Sequence, residues 1–229
     1  MRGEKESIAW SNAPTKVAAE RSPVLDGSGV IHALALRQPG VDVGLERAEA
    51  MRSLAPFYLD LRLELGVGSR RFCTAEQVHG AEIAVVDAQT EGVCAGVDGL
   101  LTRDPSVCLG IFTADCCAVF LVDSVRRAIG LLHSGAKGTR LGITSAAIAQ
   151  MQQEFGTEAA DLVAVLSPCI RPPLYEIDFA AEIRRQCSVA GVRRVFDSGA
   201  CTGSDLRKYY SYRLERGKTG RLMALLALC

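Results

Sequence analysis

Six short apolar stretches follow one another between Arg71 and His133: RFCTAEQ, AEIAVVD, VDGLLT, SVCLGIF, CAVFLVD and RRAIGLLH. Gly, Asp or Pro bounds each of them, the punctuation of strands and not of helices. Ala118 to Val122 is apolar without a break, as in a strand covered on both faces. Strands this closely spaced are joined by hairpin-length connections, which favour mixed pairing over a doubly wound parallel sheet. The expected fold class is α/β (α+β): a single domain with mixed β-sheets flanked by helices.

The flanking segments complete this reading. Ile31 to Arg37 suits a strand. Leu45 to Leu65 is rich in Leu, Ala, Glu and Arg and predicts one or two helices, with Pro56 as a kink or boundary and Gly66 and Gly68 as the end. Thr139 to Phe155 has apolar residues at helical spacing after a Gly-containing loop. Asp161 to Ser167 predicts a buried strand, Asp178 to Val189 a helix, and Val192 to Phe196 a strand. Tyr209 to Arg213 and Leu222 to Leu228 are expected to form two closing strands around the turn-like ERGKTG. Residues 1–28, rich in Ser, Ala, Pro, Gly and charge, are expected to form a disordered or loosely attached arm. The domain is then 29–229.

Composition removes several functions. Lys plus Arg number 26 and Asp plus Glu 26, so there is no basic excess for nucleic acid. No apolar run reaches the roughly 18 residues of a membrane span, and the polar N-terminus lacks a secretory apolar core. The nine cysteines form no small secreted framework and predict mostly reduced, buried thiols in a cytoplasmic protein. The oligomeric state is not written in the sequence.

The three histidines are His32, inside an apolar strand, His79, in EQVHGAE, and His133, closing AIGLLH before Ser134 and Gly135. Between the last two lies FTADCCAVF. Alternation sends Cys116 and Cys117 to opposite faces, so one thiol can enter a site while the other packs. His79, one of these cysteines and His133 make a Cys-His-His set at three strand-to-loop junctions. Such a set holds a zinc ion with one open position, or it activates a thiolate nucleophile through a histidine. Spacing alone, 37 and 17 residues, leaves both readings open beside a packing role.

The motifs QVHG, DGLLT, TADCC, LLHSGAKGT, SPCI with YEI, and SYR followed by TGR occur in order over nearly the whole chain from Ile31 to Leu228. Together they resemble the YfiH-like family, whose members are called purine nucleoside phosphorylases and, earlier, laccase-domain or polyphenol oxidase proteins. The resemblance implies a fold related to a group of cysteine hydrolases. It implies phosphorolysis of adenosine, inosine, guanosine and methylthioadenosine, and adenosine deamination, with purine nucleoside and phosphate as partners. It also implies that His79, Cys116 and His133 hold zinc, which assigns Cys117 to packing. Where the family usually shows H-A-G-W-R-G-T, this chain has HSGAKGT, with Ala136 and Lys137 in place of Trp and Arg; Lys137 keeps the charge and loses the bidentate fork.

Further candidates follow, each beside its plainer role. Cys116 and His133 would be catalytic. Asp115 would orient a ligand or act as acid or base, or serve as a turn carboxylate. Gln77 and Asp98 would line the pocket, or form buried hydrogen bonds. Lys137 and Arg213 would contact phosphate, or be surface charges; the helix after Gly138 would place the anion near Lys137 and Thr139. Cys169 is expected to be inert packing, and Tyr175 and Tyr212 to cap a core edge. Three other functions compete: an amide hydrolase with Cys116 as nucleophile and His133 as base, a nucleoside-binding protein without turnover, and copper-dependent phenol oxidation. Multicopper chemistry with a type 1 site plus a trinuclear cluster takes about ten histidines. The chain has three.

Overall fold

The computed structural model describes residues 8–90 and 92–229. In chain order they form β1 (Ser11–Asn12), β2 (Ala19–Arg21), β3 (Val30–Ala35), α1 (Arg47–Glu64), β4 (Arg71–Ala75), β5 (Ile83–Val85) and β6 (Val93–Cys94). Next come β7 (Gly99–Thr102), β8 (Val107–Thr113), β9 (Cys117–Asp123), β10 (Ala128–Ser134), α2 (Ala136–Arg140), α3 (Ile143–Phe155), β11 (Val163–Leu166), α4 (Phe179–Val189), β12 (Arg194–Asp197) and β13 (Leu222–Leu228). Two mixed sheets result, ordered β1-β2-β3-β13-β8-β4-β6 and β12-β11-β9-β10-β7-β5. Each combines antiparallel pairs with parallel ones, such as β4 with β8 and β11 with β12.

Residue alternation explains the layering. Phe120 and Val122 of β9, with Ile129 and Leu131 of β10, pack into one core with β8 and β13 of the other sheet. Cys117, Val119 and Leu121 face the opposite way, into a second core with α3 and α4. α1 covers the outer face of the first sheet through Ala50, Leu54, Tyr58 and Leu61; the Tyr58 ring lies 5.4 Å from Phe112. The central strands β9, β10 and β13 are buried along their whole length, which accounts for their unbroken apolar sequences. No helix among the described residues is long and apolar enough to cross a membrane.

Several expectations are corrected. Residues 1–7 of the expected arm lie outside the described residues, but from Ile8 onward the segment is built into the domain. β2 pairs with β3, Leu25 is fully buried, and Trp10 stacks 5.6 Å from Phe120. Two large apolar anchors outweigh a polar composition. Pro56 does not divide α1: it lies on the exposed face, where the Arg52 carbonyl it leaves without a helical donor is open to solvent. The helix expected over Thr139 to Phe155 is split at Gly142, which is left-handed (φ 83°). Tyr209 to Arg213 is not a strand. Its N–H groups are used elsewhere, Tyr209 N–H by the Asp205 carbonyl, Ser211 N–H by Glu215 and Arg213 N–H by Asp115.

Candidate metal centre and active site

Register assembles the site at one end of the second sheet. The β9–β10 hairpin sets Cys117 opposite Ser134 and Ala118 opposite His133, which brings Cys116 beside the end of β10. β10 pairs with β7 so that Leu132 meets Gly99, and the His133 N–H donates to the Asp98 carbonyl (2.7 Å). β5 lies next to β7, with Ile83 opposite Gly99, and so delivers the preceding loop with His79 and Gly80. The ligand atoms of His79, Cys116 and His133 all lie within 4.8 Å of one another. The two imidazoles are edge to face, with centroids 4.8 Å apart. Such a set can close on one metal ion. His79 is exposed, Cys116 half-buried and His133 buried, so the set opens on one side only.

Asp98 fixes two of the three. Its fully buried carboxylate accepts hydrogen bonds from the N–H groups of Val78 (3.1 Å), His79 (2.9 Å) and Gly80 (2.6 Å), and from His133 Nδ1 (2.7 Å). His133 is thereby oriented with Nε2 left for the thiol, the usual arrangement behind a metal-ligating histidine. Asp98 therefore stands behind the histidines and not on the pocket wall. Burial alone would raise its pKa; the hydrogen bonds of His133, Gly80 and His79 outweigh it and hold the carboxyl below the usual range.

The thiol and the imidazole perturb each other. Burial pushes the Cys116 thiol up, but the charges and hydrogen bonds of His133 and His79 win and bring it to about 6. Burial pushes His133 down, but the Cys116 thiolate and Asp98 raise it to about 9. The free pair is thus thiolate beside imidazolium: the thiolate is ready to hold a metal, and His133 gives up its Nε2 proton when it does so. The backbone here is strained: Gln77 (φ 65°), His79 (φ 60°) and Asp115 (φ 85°) are left-handed without being glycine. Gly135 is required by contact, since a Cβ there would lie 2.5 Å from Cys116 Sγ.

The triad opens into a cavity of about 1050 Å³ walled by both sheets. Its lining includes the cations Arg47, Lys137, Arg140, Arg216 and Arg221, against Glu46 and Asp115 as the acids. Tyr175, Phe179 and Tyr212 supply aromatic surface; Tyr175 also packs on the helix-side core, and Tyr212 is exposed.

The other sequence-derived residues fall as follows. Gln77 lines the cavity, but its amide is clamped to the Phe112 main chain, donating to the carbonyl (2.5 Å) and accepting from the N–H (2.9 Å). Asp115 also lines it, with one oxygen accepting from Thr202 Oγ1 (2.8 Å) and the other from the Arg213 N–H (2.7 Å). Arg213 also lines the cavity, at its exposed rim, and pairs there with Glu176. Lys137 is exposed on α2, which has only five residues. Cys117 and Cys169 are fully buried in the helix-side core. His32 is a core histidine, with Nε2 3.0 Å from the Ser22 backbone and its pKa lowered by burial. Arg221 was not singled out from the sequence, because a cation just before an apolar strand reads as a solvated cap.

A family model described as "Multi-copper polyphenol oxidoreductase laccase" matches residues 40–182 and 175–229. The chain is 32% identical over 230 residues to a "Purine nucleoside phosphorylase" of Deinococcus radiodurans, covering 87% of this chain and 89% of that one. It is 28% identical to "Purine nucleoside phosphorylase YlmD" of Geobacillus stearothermophilus, covering 82% and 81%. The crystal structure of YlmD from Geobacillus stearothermophilus superposes with a TM-score of 0.84 at 23% identity, covering 96% and 99%. A Bacillus licheniformis protein, YfiH, gives 0.81 at 22%, with the same coverage. Model, relatives and fold agree: the chain belongs to the laccase-domain family that includes relatives named purine nucleoside phosphorylase.

Proposed function

We propose that the protein is a zinc-dependent purine nucleoside phosphorylase, acting on adenosine, inosine, guanosine and methylthioadenosine, and that it also deaminates adenosine. One observation carries the reading: the His79–Cys116–His133 set forms the floor of a large cavity whose walls are cationic and aromatic. A purine nucleoside and an oxyanion are the ligands such walls suit. The relatives' names point the same way.

The donor set fits zinc, with one thiolate, two imidazoles and room for a fourth ligand from the cavity. Zinc held by these three residues would supply Lewis acidity beside the substrate. Copper is the weaker assignment, since three histidines cannot furnish a multicopper cluster. In phosphorolysis a phosphate oxygen bonds to the ribose C1′ as the bond from C1′ to the purine nitrogen breaks. The electron pair leaves with the purine, which takes up the proton that hydrogenphosphate gives up. The geometry favours this source over Asp115, both of whose oxygens already hold the Thr202 and Arg213 loops. Asp115 is assigned to positioning, as is Asp98. Deamination replaces the C6 amino group by water's oxygen and releases ammonia. The nine free thiols fit a reducing, cytoplasmic setting.

The thiolate–imidazolium pair, with Asp98 behind His133, supports a second reading: an amide hydrolase with Cys116 as nucleophile. A nucleophile needs one histidine, however, and here a second converges on the same thiol. Incubation with adenosine, with and without phosphate, separates the readings. Phosphate-dependent adenine and ribose 1-phosphate are expected, with inosine formed in either case. Absence of adenine, ribose 1-phosphate and inosine, together with metal-free protein and rapid Cys116 alkylation, would favour the hydrolase.

A further inference from the structure

Arg221 precedes β13 and lines the cavity. It is the one arginine among the described residues that is buried, at 9% exposure. Two partly buried arginines reach carboxylates, Arg37 with Glu215 and Arg171 with Asp197. Arg221 has none. Its Nη1 donates to two neutral carbonyls, Thr219 (3.0 Å) and Gly220 (2.9 Å). A second cation, Arg47 at the start of α1, lines the same cavity beside Glu46 and forms no ion pair among the described residues. Burial first, and then the nearby Arg47 charge, depress the pKa of Arg221. The two like charges repel each other, neither is bonded to a carboxylate among the described residues, and a bound anion relieves both the repulsion and the desolvation.

The arginine is held rigidly. Tyr58 Oη donates to the Arg221 carbonyl (2.6 Å). A Cβ on Gly220 would lie 2.7 Å from the Tyr210 ring and 2.8 Å from Leu54, so the backbone is packed against α1. The guanidinium faces the Tyr212 ring at 5.8 Å. A fixed, weakly hydrated fork next to a cavity suits a phosphoryl oxyanion. By contrast Lys137 and Arg140 lie exposed on a single helical turn.

We infer that Arg221, with Arg47, is the seat of the phosphoryl oxyanion, and that inorganic phosphate is the anion it takes during turnover. The choice of ligand rests on the phosphorolysis reading; the anion seat rests on the arginine pair.

The test uses metal-loaded protein with inorganic phosphate as the probe. Phosphate is expected to raise the melting temperature of the wild type, and Arg221→Met to abolish that rise while Arg221→Lys keeps part of it. Without phosphate, Arg221→Met should melt at or above the wild-type temperature, because an unpaired buried charge has been removed. In adenosine phosphorolysis the Met variant should raise KM for phosphate by about 10- to 100-fold, as for loss of a charge-assisted contact, and KM for adenosine by less than about 2-fold. A phosphate-dependent melting shift that vanishes in Arg221→Met, in a protein that makes no ribose 1-phosphate, supports the seat and removes the phosphorolysis reading. A full phosphate shift in Arg221→Met overturns the seat. Loss of the shift with adenosine 5′-monophosphate only, with that for inorganic phosphate intact, overturns the assignment to free phosphate.

Discussion

Asp98→Asn tests the argument that one buried carboxylate holds two metal ligands in place. Oδ2 accepts the N–H groups of Val78 and Gly80, and Oδ1 accepts those of His79 and His133. Asparagine keeps one acceptor oxygen. Its NH₂ group then meets two donors in a site with no access to solvent. A hydrogen bond to a charged acceptor contributes about 1.5–3 kcal/mol, and a buried unpaired donor costs a similar amount. Two such losses come to about 3–6 kcal/mol, against a total stability of about 5–15 kcal/mol for a domain. For a chain of this length about 1 kcal/mol moves Tm by roughly 2–4 °C, so a fall of about 6–24 °C is expected. The His133 imidazole also loses the partner that fixes its tautomer, and metal affinity should drop about 10- to 100-fold. Thermal melting of the metal-free variant reads the first effect, and competition with a chelator reads the second. Melting within about 2 °C of wild type, with unchanged metal affinity, would refute the reasoning.

Gly135→Ala places a methyl group 2.5 Å from Cys116 Sγ, so the variant should fold but retain less than about a tenth of the bound metal, measured by elemental analysis. In metal-free protein, Cys116 at about 6 is thiolate above that pH and thiol below it. Its alkylation, followed by peptide mass spectrometry, should therefore be nearly flat from pH 7 to 9 and fall below about pH 6. The buried thiols Cys108 and Cys187, both pushed up to about 12, should stay unlabelled throughout. Pro56→Ala restores an N–H to the exposed face of α1 and should stabilise the protein by about 1–3 kcal/mol, read from denaturant midpoints.

Much of the framework is legible in the sequence because strand patterns are local. Unbroken apolar runs mark β9, β10 and β13, and the opposite orientations of Cys116 and Cys117 follow from a two-residue period. His79 and His133 stand out because each ends at a loop beside a glycine. What pattern cannot supply is the partner of a buried group. Asp98 reads as a generic polar residue until register sets it behind His133. The segment at Tyr209 mimics a strand, but the Glu215 and Asp115 carboxylates take the N–H groups of Ser211 and Arg213. Arg221 resembles a surface charge until the fold buries it at the cavity. Trp10 and Leu25 are single anchors in a polar segment, too few to give a period.

Native mass spectrometry of the purified protein beside His79→Ala and Cys116→Ala tests the metal centre most directly. The account predicts one zinc ion per wild-type chain and a folded, metal-free chain in each variant, with phosphorolysis lost in parallel. A wild-type chain without stoichiometric metal, or a Cys116→Ala chain that keeps its metal and its activity, would contradict it.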